Sequence, residues 1–140
     1  MNIILIHGSW HGAWCWHKVV PHLQTAGHTV LVPDLPAHGR DWRFARGRIT
    51  LAAMSKSVSQ LLDQLSEPAM IVAHSRGGIV AASLAESHSQ KLHACVYLAA
   101  YMLRDGERVA DYFRQDKNSL VRKHIQIKRS SLTDSLPEHV

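Results

Sequence analysis

Met70-Ile71-Val72-Ala73-His74-Ser75-Arg76-Gly77-Gly78 is an apolar run that passes directly into a turn of small residues, with Ser75 at its apex. A turn of this kind, between a buried strand and a helix, lifts a serine hydroxyl clear of the sheet. Its neighbours must be small, because the helix passes close behind it. Met70 to Ala73 reads as the strand and Gly78 to Ala85 as the helix. The context therefore favours a nucleophile turn over an ordinary tight connection, and it proposes nucleophilic acyl transfer with Ser75 as the nucleophile. An unaided serine is a poor nucleophile; it needs a base and donors for the developing negative charge. The backbone N–H of Arg76, at the start of the helix, is a natural donor, reinforced by the helix dipole.

Outward from this stretch, strand-like and helix-like segments alternate, as in βαβ units that build a parallel sheet. Ile3 to Ile6 is a continuous buried-type strand, and Thr29 to Val32 is a second. Between them Ala13 to Ala26 predicts a helix bent at Pro21 and stopped by Gly27. Residues 37–49 read as loop. Thr50 is a good N-cap for a helix to about Leu65, whose apolar face is Leu51, Met54, Val58, Leu61, Leu62 and Leu65. His93 to Leu98 is the fourth strand. Beyond Tyr101 charged residues become dense, with a helix over Arg108 to Gln115 and a short extended piece over Val121 to Ile127. This predicts two parts, residues 1–102 and residues 103–140.

The chain has 140 residues, 46% apolar and 19% charged, enough for a buried core and ordinary for a globular protein. Its formal charge of +5 is spread over loose clusters, Arg40, Arg43, Arg46 and Arg48, then Arg122, Lys123, Lys128 and Arg129. Neither is interleaved with aromatics, so solvated surface charge is expected and nucleic-acid binding is not. Cys15 and Cys95 make no disulfide framework and read as packing residues. The amino terminus carries no signal-peptide pattern and no stretch is long enough to span a bilayer, so a cytoplasmic protein without membrane contact is expected.

A second donor must come from a loop at the same sheet edge as Ser75. His7-Gly8-Ser9-Trp10 follows the first strand, and Gly8 lets the backbone turn close to a ligand. The N–H of Ser9, or of Trp10, would then point at the oxyanion. His7 and His11 are expected to bond within their own loop rather than hold a metal, since no acidic or cysteine partner stands at ligand spacing. Neither metal nor cofactor is expected. Of the clustered tryptophans, Trp14 and Trp16 read as core, while Trp10, with Gly8 and His74, is a candidate for the substrate pocket. The His74 side chain is expected to point away from Ser75 as a hydrogen-bonded structural group.

Five stretches now stand in order: residues 6–16, Ala26-Gly27-His28, Asp34-Leu35-Pro36-Ala37-His38-Gly39, His74-Ser75-Arg76-Gly77-Gly78 and Val96-Tyr97-Leu98-Ala99-Ala100. Together, over about residues 1–105, they resemble the α/β-hydrolase superfamily. More narrowly, they resemble the branch of plant methyl-ester and salicylate-binding esterases, hydroxynitrile lyases and their bacterial relatives. The resemblance implies a parallel sheet with helices on both faces, of which this chain holds the central strands and the start of a cap. It places the nucleophile on Ser75 and the oxyanion donors on Ser9 and Arg76. Ala73 replaces the first glycine of the family's serine motif. Gly8 stands where the lyases carry a polar residue, which favours ester hydrolysis over cyanohydrin cleavage.

The family's acid and histidine follow later strands, which would lie beyond Val140. Local substitutes are poorly placed. His88 and His93 flank a loop at the opposite sheet edge, whereas His124, His139 and Asp105 fall in or near the cap-like segment. The expected function is hydrolysis of a small apolar ester by a carboxylesterase-type serine hydrolase whose acid and histidine are missing from this chain. The alternatives are a non-catalytic binder of small ligands on the same scaffold and a hydroxynitrile-lyase-like enzyme. An unpaired fourth strand would also favour self-association through Val96-Tyr97-Leu98.

Overall fold

The computed structural model describes residues 1–40, 49–128 and 133–135. It divides into two compact units, Met1–Met102 and Leu103–Val140. In the first, β1 (Asn2–Ile6), β2 (Thr29–Leu31), β3 (Ala69–His74) and β4 (Leu92–Leu98) form one parallel sheet in the order β2-β1-β3-β4. Parallel strands joined by crossover helices are covered on both faces. Accordingly Ile4 and Ile6 of β1 face one core, with Ala69, Ile71 and Ala73 of β3, and Ile3 and Leu5 face the other.

The first core is closed by α2 (Leu51–Asp63) and α3 (Gly77–Ser87), through Met54, Val58 and Leu62 of α2 and Val80, Ala81 and Leu84 of α3. The Thr50 hydroxyl accepts from the Ala53 N–H at 3.1 Å, the cap expected from the sequence. Leu61 and Leu65 pack at the margin of this core. Leu51, in the first turn of α2, is 42% exposed and does not belong to the buried face assigned to it.

The helix expected over Ala13 to Ala26 is two pieces, a 3-10 turn at Ala13–Trp16 and α1 at Val20–Thr25. Pro21 does not bend a helix; it sits in the first turn of α1, where its missing N–H leaves no bond unmade. Gly27 ends α1 at φ +82°. Its N–H bonds the Gln24 carbonyl at 2.9 Å and the His28 N–H bonds that of Leu23 at 3.1 Å, the paired bonds of a left-handed glycine cap. The two tryptophans expected in the core part company. Trp16 is 6% exposed and packs on Ile3 and Leu5, whereas Trp14 is 60% exposed and stacks on His11. The short turn points only one of them at the sheet.

Cys15 and Cys95 are free, half-buried thiols packed against the two cores, and burial raises both pKa values. In the second unit, α4 (Val109–Gln115) matches the expected helix, and Arg108 at its start pairs with Asp111 at 3.0 Å. The extended piece expected over Val121 to Ile127 is instead α5 (Leu120–His124), capped by the Ser119 hydroxyl at 3.3 Å, followed by β5 (Gln126–Lys128) antiparallel to β6 (Thr133–Ser135). The cap signal of Ser119 outweighs the β-branched residues after it. Most of the expected loop, with Arg43, Arg46 and Arg48, lies outside the described residues, as do Arg129 and His139. No helix among the described residues is long and apolar enough to cross a membrane.

Candidate active site

The chain leaves β1 to build β2 on one side, then returns to place β3 on the other. Such a reversal opens a crevice at the carboxyl ends of the two central strands. Ile6 pairs with Ala73, so β1 ends one residue short of β3 and the loops beginning at His7 and Ser75 emerge side by side.

Ser75 lies between β3 and α3 at φ +53°, a conformation few non-glycine residues adopt. Residues held there cost roughly 1–3 kcal/mol and persist only where their surroundings over-determine them. Here the Ser75 N–H donates to the Leu98 carbonyl at 3.4 Å, and its own carbonyl accepts from Gly78 N–H at 3.1 Å and Tyr101 N–H at 3.0 Å. The peptide that carries the Arg76 N–H is therefore held from its carbonyl side.

The neighbouring glycines have steric reasons. A Cβ on Gly8 would stand 2.7 Å from the Ser75 Cβ, and one on Gly77 would stand 2.9 Å from the His7 carbonyl oxygen. One on Gly78 would run into the Tyr101 carbonyl. Gly8 thus lays the backbone of the first loop against the serine. The Ser9 N–H donates to no acceptor among the described residues.

His7 is fully buried. Its Nε2 accepts from the Leu35 N–H at 3.0 Å, so its proton sits on Nδ1, which donates to the Gly8 carbonyl at 2.8 Å. Burial holds its pKa below the ordinary value, helped by His38 and His11, while the Gly8 carbonyl and Asp34 pull it back. His11 bonds within the loop as expected, Nδ1 to the Ser9 carbonyl at 2.7 Å. Trp10 adopts φ +60°, and its buried indole N–H has no partner among the described residues.

His74 differs from its expected role as a hydrogen-bonded structural group. Its half-buried ring makes no hydrogen bond among the described residues; it meets His11 edge-on at 6.2 Å between centroids. Burial, then the charge of His11, lowers its pKa. It lines a cavity of about 260 Å³ with Trp16, Cys15 and Leu98. A larger cavity of about 360 Å³ lies between Trp14, Asp34 and Arg40, and Ser75 lines neither of the two. Gly8 and Trp10 line neither. No group of three or more potential metal ligands stands together among the described residues.

Two residues of the loop after β2 were given no individual role by the sequence. Asp34 accepts from the Ala13 N–H at 2.6 Å and the Arg40 N–H at 3.1 Å, tying that loop to the 3-10 turn. His38 accepts at Nε2 from the Arg76 guanidinium at 2.7 Å, so its proton also sits on Nδ1, which donates to the Pro36 carbonyl at 2.9 Å. The only advance signal was Asp34-Leu35-Pro36-Ala37-His38-Gly39 itself, a turn-rich stretch directly after a strand.

Residues 3–135 match the alpha/beta hydrolase family. The chain belongs to this family. Proteins with sequences similar to it include Methylesterase 9 of Arabidopsis thaliana and Salicylic acid-binding protein 2 of Nicotiana tabacum. Each is 39% identical over 103 residues, which is 72% of this chain and 40% of the relative. Among solved structures, an extracellular alpha/beta-hydrolase from a Paenibacillus species superposes with a TM-score of 0.72 at 29% identity, covering 82% of this chain and 50% of the other. The chain thus spans half or less of the length of these relatives.

Proposed function

We propose that this chain carries the nucleophile and oxyanion hole of a carboxylesterase-type serine hydrolase for small apolar esters. The observation that carries the proposal is Ser75 at φ +53° on the β3–α3 turn, with the Gly8 backbone packed against it. In this reading the Ser75 hydroxyl attacks the ester carbonyl while the Ser9 and Arg76 N–H groups hold the oxyanion. Methylesterase relatives support the substrate class. Ser75 has no hydrogen-bonded histidine among the described residues. His88 and His93 lie at the amino end of β4, the far edge of the sheet from Ser75. The base that shuttles the proton is therefore assigned to sequence outside the described residues.

A fluorophosphonate probe, applied with imidazole in solution to supply the base and located by mass spectrometry, tests the nucleophile. Labelling should fall on Ser75 and disappear in Ser75→Ala. Labelling elsewhere, or persisting in that variant, overturns the proposal. Binding without turnover is the second reading, favoured by the cavity between Trp16 and His74 and by a relative named for binding salicylic acid. It predicts saturable tryptophan quenching by salicylate with no hydrolysis of p-nitrophenyl acetate.

A further inference from the structure

Both candidate oxyanion arms meet the same third loop, the one that follows β2. Its Leu35 N–H donates to His7, and its His38 accepts from Arg76. The rings of His7 and His38 lie 5.2 Å apart, tilted by 46°. From these contacts we propose that His7 and His38 are positioning residues that brace the oxyanion hole against the loop over residues 34–39. The proposal rests on the reading of Ser75, Ser9 and Arg76 given above.

The action of His7 follows from the peptide plane. The Gly8–Ser9 peptide is trans, so the Gly8 carbonyl and the Ser9 N–H point in opposite directions. By holding the carbonyl through Nδ1–H, His7 sets the direction of the N–H. Its ring is locked in turn, because Nε2 is committed to the Leu35 N–H. His38 acts on the other arm. Its Nδ1–H is anchored on the Pro36 carbonyl, and its Nε2 ties the Arg76 side chain to the loop that also holds His7. The chain of contacts closes on itself: Arg76, His38, the residue 35–36 backbone, His7, Gly8 and, by packing, Ser75. It therefore ties both arms to one third loop. Both links require a neutral ring with its proton on Nδ1.

The test uses the whole 140-residue chain, ¹⁵N-labelled, with His38→Leu, His38→Gln and His7→Gln. In wild type, ring-nitrogen shifts should show protonated Nδ1 and bare Nε2 on both histidines. His38→Leu should move the Ser9 amide resonance and slow fluorophosphonate labelling of Ser75 by about tenfold, less than outright loss of an oxyanion donor costs. Its far-ultraviolet circular dichroism should not change. His38→Gln keeps an oxygen acceptor for the guanidinium and should restore both readouts. A proton on Nε2 of either ring overturns the proposal, as does a His38→Leu chain with an unmoved Ser9 amide and wild-type labelling. If wild type does not label even with imidazole supplied as the base, the nucleophile reading fails; the tautomers and the Ser9 amide still decide the brace. If His7→Gln does not fold, the two His38 variants carry the test.

Discussion

At the residue scale, the glycines and histidines around Ser75 are set by distances of a few tenths of an ångström. Gly8→Ala would place a methyl 2.7 Å from the Ser75 Cβ, and neither backbone can retreat without moving a strand end. Overpacking of this kind costs about 1–3 kcal/mol, so the urea midpoint should fall and Ser75 labelling should drop with it. Unchanged labelling in a folded Gly8→Ala chain would show that the loop does not border Ser75.

The depressed pKa values of His7 and His74 give a pH dependence with a definite sign. Unfolded histidine binds its proton near pH 6.5, while both folded rings bind it only at lower pH. Between those two values the unfolded chain holds more protons, so stability rises with pH across that window. The contribution is complete above about pH 6.5 and is lost as pH falls towards the depressed values. His11, His38 and Asp34 face His7, and His11 faces His74. Urea midpoints measured from pH 7 down to pH 5 should decline, and His74→Gln should flatten the decline. An equal slope in that variant would remove His74 from the account.

At the element scale, α2 depends on its cap. Thr50→Ala removes the acceptor for the Ala53 N–H and should cost about 1 kcal/mol, read as a lower urea midpoint, whereas Thr50→Ser should restore it. This helix was legible in the sequence because its signals are local, a cap followed by apolar residues at helical spacing. The segment from Ala13 to Ala26 was less legible for the opposite reason. Its composition suits a helix, but contacts with Asp34 and the sheet break it after Trp16 and start it again at Val20. The same local logic would have found α5, whose Ser119 cap stands in plain view.

Among the described residues of the first unit, β4 stands at an edge of the sheet, with Val96 41% and Leu98 49% exposed. An apolar edge of this kind pairs readily with another chain. We propose self-association of the 140-residue chain through this edge. Light scattering should show a concentration-dependent rise in mass that Val96→Lys and Leu98→Lys together suppress. A monodisperse monomer at high concentration would overturn it.

From its own order of residues the chain determines the parallel α/β architecture, the serine turn and the loop that faces it. Strand runs, caps and small-residue turns act over a few positions and need no distant partner. Tertiary structure alone decided that Trp16 and not Trp14 enters the core, that His74 makes no hydrogen bond among the described residues, and that Asp34 stitches two loops together. It also decided that His7 meets the backbone of Leu35 and that His38 meets the side chain of Arg76. Those contacts join residues 28 and 38 positions apart. They exist because the strand order reverses at β1 and because β1 and β3 end within one residue of each other, and such properties belong to the packed sheet rather than to any local stretch of chain.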